Sequence, residues 1–190
     1  MKPLLSALLL TGALALAPAA LAALKAGDPA PPFRTPAALA GESFEFDLAA
    51  ALREGPVVLY FFPKAFTQGC TVEANAFAEA SAQFAAAGAR VIGLSHDDID
   101  TLKKFSREAC RDKFAVASDP KARTIKAYDA GSLLPGMASR ISYVIGQDGR
   151  ILAEYDSMNP NQHVKQMLDA LQAAHAGAGG KAPKSSAKGG

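Results

Sequence analysis

Apolar and polar positions along the chain alternate in a way that marks out its elements. Val57 to Phe62, VVLYFF, is an unbroken run of strand formers, as expected of a strand buried on both faces. From Cys70 to Ala87 the spacing of Phe77 and Phe84 predicts a helix, closed by Gly88. Arg90–Ser95 reads as a second buried strand. The segment 97–113 is amphipathic, with Ile99, Leu102, Phe105 and Ala109 on one side. Phe114–Ser118 is a short strand, and Asp119-Pro120 supplies a cap and a first helical residue for the next helix. Two strands, RISYVI and RILAEY, flank a turn containing Asp148-Gly149. Asn159-Pro160 opens a last helix with Val164, Met167, Leu168 and Leu171 on one face. Ahead of these elements, the Pro- and Gly-rich stretch 29–49 alternates around Phe33 and Phe44–Phe46 and predicts an N-terminal hairpin or extended lead-in.

The order β–α–β–α–β–α–β–β–α argues for an α/β chain. Its central mixed sheet should be flanked by helices, mostly parallel, with the closing hairpin as an antiparallel edge and an N-terminal β extension. That is the element order of a thioredoxin-like fold with a helical insertion. Fold alone names no function.

The ends of the chain change the picture of its charge. Lys2, an apolar stretch too short to span a bilayer comfortably and an A-x-A pattern at Ala20 and Ala22 have the layout of a cleavable secretory signal, residues 1–22. No cysteine follows the apolar run, so no lipid-modified N-terminus is expected. The expected location is a bacterial periplasm or the exterior, with no membrane association after cleavage. Residues 177–190, composed of Gly, Ala, Ser, Pro and Lys, are expected to be a disordered tail. One domain, residues 23–176, lies between them. The formal charge is +2, but four of the basic residues (Lys2, Lys181, Lys184, Lys188) fall in the signal and tail, leaving the domain near −2. That charge points to no nucleic-acid or membrane surface.

Two cysteines, Cys70 and Cys110, survive processing. In an oxidising compartment such a pair reads first as a structural disulfide, although a domain of this size does not need a staple. Cys70 stands where an apolar strand, stopped by Pro63, gives way to a helix. A thiol is a poor nucleophile while protonated, and a helix N-terminus, a nearby cation or hydrogen bonds to sulfur favour the reactive thiolate. Thr67, three residues earlier, is within reach of the sulfur or of a bound substrate. Taken singly, Pro63 is a strand terminator and Thr67 a helix cap.

Together Pro63, Thr67 and Cys70 spell P-x-x-x-T-x-x-C directly after a buried strand. This resembles the peroxiredoxins, thiol peroxidases with a thioredoxin-like (AhpC/TSA-like) fold, over roughly Gly27 to Ala174. VVLYFFPKAFTQGCTVEA is most similar to the bacterioferritin comigratory protein, or PrxQ-like, subgroup, and RISYVIGQDGRI and VASDP match further segments of it. The resemblance implies that the Arg140 guanidinium lies beside the Cys70 sulfur, favouring the thiolate and donating to peroxide oxygens as charge develops. Glu73 is the candidate to orient the arginine. The implied activity is reduction of hydrogen peroxide or organic hydroperoxides through a Cys70 sulfenic acid. No cofactor and no metal is expected. His96, His163 and His175 lack ligand spacing, and surface or loop positions are expected for all three.

The chain departs from its relatives at Asn75, where many subgroup members have a second cysteine. Cys110, near the end of the following helix, is the remaining candidate for a resolving thiol. Joining it to Cys70 would require helix ends to unwind, because a disulfide needs Cα atoms within about 7 Å. The alternatives for Cys110 are an inert buried thiol or a permanent bridge. A thioredoxin-like protein or a small thiol would be the reductant. Phe66 is an apolar residue where relatives often carry polar ones, and would favour organic hydroperoxides. A monomer is the default expectation. Two other readings compete: a periplasmic thiol–disulfide oxidoreductase, against which T-Q-G-C lacks the second cysteine of C-x-x-C, and a redox-sensing interaction domain that reacts once and stops.

Overall fold

The computed structural model describes residues 23–179, so the expected signal and residues 180–190 lie outside the described residues. In chain order the elements are β1 (Arg34–Leu39), β2 (Glu42–Asp47), α1 (Leu48–Glu54), β3 (Val57–Phe61), α2 (Gln68–Glu79), α3 (Ser81–Ala86), β4 (Arg90–Ser95), α4 (Ile99–Glu108), β5 (Ala115–Ser118), α5 (Arg123–Ala127), β6 (Ile141–Ile145), β7 (Ile151–Asp156) and α6 (His163–Gly179). The last helix continues three residues into the segment expected as tail. No helix among the described residues is long and apolar enough to cross a membrane.

The seven strands form one mixed sheet in the order β2-β1-β5-β4-β3-β6-β7. β3 runs parallel to β4 and β4 to β5, while the other four pairings are antiparallel. The expectation of a mostly parallel sheet is therefore corrected. Crossover helices make parallel neighbours only along the central β–α–β–α–β run, and hairpins flank that run on both sides.

β3 organises the core because alternate side chains enter opposite layers. Val58, Tyr60 and the following Phe62 pack with Phe77, Phe84, Leu102, Phe105, Met167 and Leu171 from α2, α3, α4 and α6. Val57, Leu59 and Phe61 pack with Leu48 and Leu52 of α1, Ile125 of α5 and Tyr128. Each such side chain, fully buried, contributes about 1.5–3 kcal/mol relative to exposure. Tyr60 stacks on Phe77 with ring centroids 4.5 Å apart, and it faces Gly93 across the β3–β4 register. A Cβ on Gly93 would lie 2.7 Å from the Tyr60 ring, so the glycine makes room for it.

Three local expectations need correction. α1 was not foreseen, although the Asp47 carboxylate caps it by accepting from the Ala49 and Ala50 amides. The helix expected from Cys70 to Ala87 starts at Gln68 and breaks at Ala80, whose φ −85° and ψ 2° leave the helical region before α3 begins. Both Phe77 and Phe84 remain buried across that break. Asp119-Pro120 forms a turn rather than the first turn of α5. Ala122 lies in left-handed space at φ 50°, and Asp119 reaches forward to accept from the Arg123 and Ile125 amides at 2.9 Å.

Candidate active site

The C-terminal end of β3 leads into the segment that carries Cys70. The Phe62 amide makes a last bond to the Leu94 carbonyl, and Pro63 then has no amide to continue the ladder. The loop is anchored by Asp97, which is buried at the end of β4. Its Oδ2 accepts from the Ala65 amide at 2.8 Å and from Ser95 Oγ at 2.8 Å. Phe66 takes a left-handed φ of 64°, is 46% exposed, and sets its ring edge-on against Phe105 of α4 at 5.2 Å. Thr67 occupies the N-cap position of α2 but makes no side-chain cap. Its hydroxyl instead donates to the Lys64 carbonyl at 3.0 Å, which leaves the oxygen able to accept a further hydrogen bond.

Cys70 is the third residue of α2 and is buried. It therefore sits among first-turn amides that have no partner within the helix and carry partial positive charge. Arg140, immediately before β6, approaches from across the sheet with its side chain almost wholly buried. Its Nη2 donates to Cys70 Sγ at 3.4 Å, its Nη1 to Glu73 Oε2, and its Nε to the Met158 carbonyl at 3.2 Å. Three anchors fix one planar group, a use to which arginine is suited. A Cβ on Gly69 would lie 3.0 Å from Nη2, so the lack of a side chain there is what lets the guanidinium reach the sulfur.

The charges interact. Burial works against the Arg140 charge, but Glu73 and Cys70 beside it outweigh that effect and hold its pKa above the usual arginine value. Glu73 is completely buried, and burial raises its carboxyl to about 7 against the opposing pull of Arg140. Its second oxygen, Oε1, has no hydrogen-bond partner and faces His163 Nδ1 at 3.6 Å.

Two expectations made from sequence change here. His163 is not a surface or loop residue: it is wholly buried at the start of α6, bonded to Ser142 Oγ at 2.8 Å and the Ser157 carbonyl at 2.9 Å. It shares a helix face with Met167 and Leu171, and that spacing was the available signal. Asp97 was also missed, though a Ser-x-Asp at the end of a buried strand is an unusual place for polar side chains. His96 is half-buried and His175 exposed.

Cys110 does not lie within a helix. It follows the C-cap Ala109, where its amide reaches back to the Phe105 carbonyl and Asp112 bonds Ser106. Arg111 and Asp112 both have left-handed φ values, 50° and 59°, so the chain here is tightly reversed. Both cysteines are free and buried in the same apolar cluster. Burial pushes the Cys110 thiol well above its ordinary pKa, with Asp112 adding to the effect.

Comparison with known proteins gives a consistent result. Residues 26–154 match the AhpC/TSA family. A chloroplastic peroxiredoxin Q from Gentiana triflora is 35% identical over 124 residues, 63% of this chain and 55% of that protein. The Sedum lineare peroxiredoxin Q is 34% identical over 119 residues, 62% of this chain and 63% of its own length. The chain thus spans somewhat more than half the length of these curated relatives. Among solved structures, peroxidoxin BcpB from Mycobacterium tuberculosis superposes with a TM-score of 0.72 at 30% identity, covering 79% of this chain and 97% of that one. A PrxQ variant from Xylella fastidiosa gives a TM-score of 0.65 at 28% identity over 74% of this chain and 89% of that one.

Proposed function

The chain belongs to the AhpC/TSA family, and from that premise we propose that it is a thiol-dependent peroxidase of the peroxiredoxin Q kind, with Cys70 as the attacking thiol. The observation that carries this reading is the guanidinium of Arg140, triply held, with one donor 3.4 Å from the Cys70 sulfur at a helix N-terminus.

Cys70 reacts as the thiolate, with the guanidinium and the first-turn amides as its counter-charge. The sulfur attacks one oxygen of a hydroperoxide; the S–O bond forms as the O–O bond breaks. Sulfur is oxidised to a sulfenic acid, and the leaving oxygen takes up a proton to depart as water or an alcohol. Negative charge moves from sulfur to the leaving oxygen, and Arg140 donors fixed beforehand stabilise it there. The Thr67 oxygen accepts the peroxide O–H, since its own proton is committed to Lys64. Pro63 limits the loop that presents both residues. Hydrogen peroxide and organic hydroperoxides are the substrates, with exposed Phe66 as an apolar lip.

Cys110 then attacks the sulfenic sulfur, displacing the oxygen as water and forming a disulfide. A thioredoxin-like dithiol or a small thiol reduces it. Because Cys110 is buried, this step requires the reversed end of α4 and the first turn of α2 to open. The reading of residues 1–22 as a signal places the monomer in an exported compartment. Adding one equivalent of peroxide to reduced protein, then measuring intact mass and free thiol, tests the scheme. Wild type should lose two hydrogens within one chain, Cys110→Ser should gain one oxygen, and Cys70→Ser should keep its mass. Oxidation of Cys70→Ser at the wild-type rate would overturn the assignment.

A further inference from the structure

Glu73 and His163 form a buried pair whose hydrogen bonding is incomplete. The Ser157 carbonyl can only accept, so His163 Nε2 carries a hydrogen and donates to it. In a neutral imidazole Nδ1 is then an acceptor, which the Ser142 hydroxyl serves at 2.8 Å. The same Nδ1 faces Glu73 Oε1 at 3.6 Å, and that oxygen has no donor of its own. With Glu73 ionised and His163 neutral, two electron-rich atoms confront each other in a fully buried space with no proton between them. One added proton, on either atom, supplies the missing donor and removes that repulsion; the single Nδ1 lone pair takes one donor, so the Ser142 hydroxyl turns away when Glu73 carries the proton and accepts when Nδ1 carries it.

The charge count points the same way. A Cys70 thiolate, the Arg140 cation and a Glu73 carboxylate leave one uncompensated negative charge in a buried cluster. A proton on the pair removes it and releases Arg140's positive charge to act on the sulfur. The titratable groups facing the pair are Cys70 on α2, Arg140 before β6, Tyr60 on β3, and Tyr155 and Asp156 on β7. The Tyr155 ring lies edge-on to His163 at 4.8 Å.

We propose that Glu73 and His163 share one proton that is retained while Cys70 is a thiolate, so that His163 is a positioning residue that sets the upper pH limit of peroxide reduction. The proton sits on the Glu73 side: burial raises that carboxyl to about 7, and burial likewise lowers His163 from its ordinary value. The inference rests on the peroxidase reading of Cys70.

The test is the second-order rate with hydrogen peroxide across pH 5 to 9, with thiolate absorbance followed in parallel, on wild type, Glu73→Gln and His163→Gln. The wild-type rate should fall several-fold above neutrality as the pair loses its proton. That alkaline fall should vanish in Glu73→Gln, which is neutral at every pH, and shift in His163→Gln. A uniform loss of rate in His163→Gln, with the alkaline limb unmoved, would show a structural role only. Carbon NMR of the Glu73 carboxyl needs no variant at this pair. Its midpoint should lie near neutrality and be higher in wild type than in Cys70→Ser, where no thiolate can form. An ordinary carboxylate midpoint in both overturns the proposal. Failure of wild type to consume peroxide would overturn the peroxidase reading instead.

Discussion

Arg140 divides its donors among a sulfur, a carboxylate and a backbone carbonyl, and each bond limits the freedom of the others. Arg140→Lys keeps the charge but not the fork, and should lower the rate of peroxide consumption by about 10²-fold, comparable to losing one fixed transition-state donor. Stopped-flow kinetics at fixed thiolate fraction would check this. Gly69→Ala separates stability from reactivity. Alanine favours the helix by up to about 1 kcal/mol over glycine, yet its methyl would crowd Nη2 at 3.0 Å. The variant should melt no earlier than wild type and react several-fold more slowly. The meeting of Cys70 and Arg140 was legible because Pro63, Thr67 and Cys70 on one strand–turn–helix, and the strand around Arg140, repeat a family pattern. Asp97 and His163 were not, since each acts through partners distant in sequence, such as Ala65 for one and Glu73 for the other.

Two helix ends carry the proposed change of shape. α2 begins at Gln68, with its first helical bond running from the Thr71 amide to the carbonyl of the N-cap Thr67, and α4 ends in a reversal through two left-handed residues. Phe66 against Phe105 links the loop before α2 to α4. Hydrogen exchange should therefore show the amides of Thr71, Cys110 and Asp112 losing protection once the disulfide forms, with the β3 amides unchanged. Unchanged protection at both ends would rule out the opening. Strand β3 was readable as an unbroken apolar run and β4 as a second buried strand around Val91–Leu94. α1 starts where the lead-in of residues 29–49 ends, in a stretch to which no element was assigned, although Asp47 and Gly55 bracket it. The break at Ala80 had no signal, because Glu79-Ala80-Ser81 contains no residue that stops a helix.

Among the described residues the molecule is a mixed sheet between two helical layers, with the turn that carries Cys70 at the C-terminal ends of its parallel strands, where such sheets leave room for ligands. Its stability should carry a signature of Glu73. A carboxyl raised to about 7 when folded binds more protons than the unfolded chain between its ordinary value and neutrality. Its contribution is thus fully present below the ordinary carboxyl range and is lost as pH rises through about 7, by about 3 kcal/mol at most. Denaturant midpoints from pH 4 to 8 should show this decline in wild type and not in Glu73→Gln. The central claim concerns one sulfur, and single-turnover kinetics address it most directly. Reduced wild type and Cys70→Ser are each mixed with a small excess of hydrogen peroxide and the peroxide is followed to completion. Wild type should consume it in a fast second-order phase of one equivalent, and Cys70→Ser should leave it at the rate of buffer alone. Equal consumption by the two proteins would contradict the account.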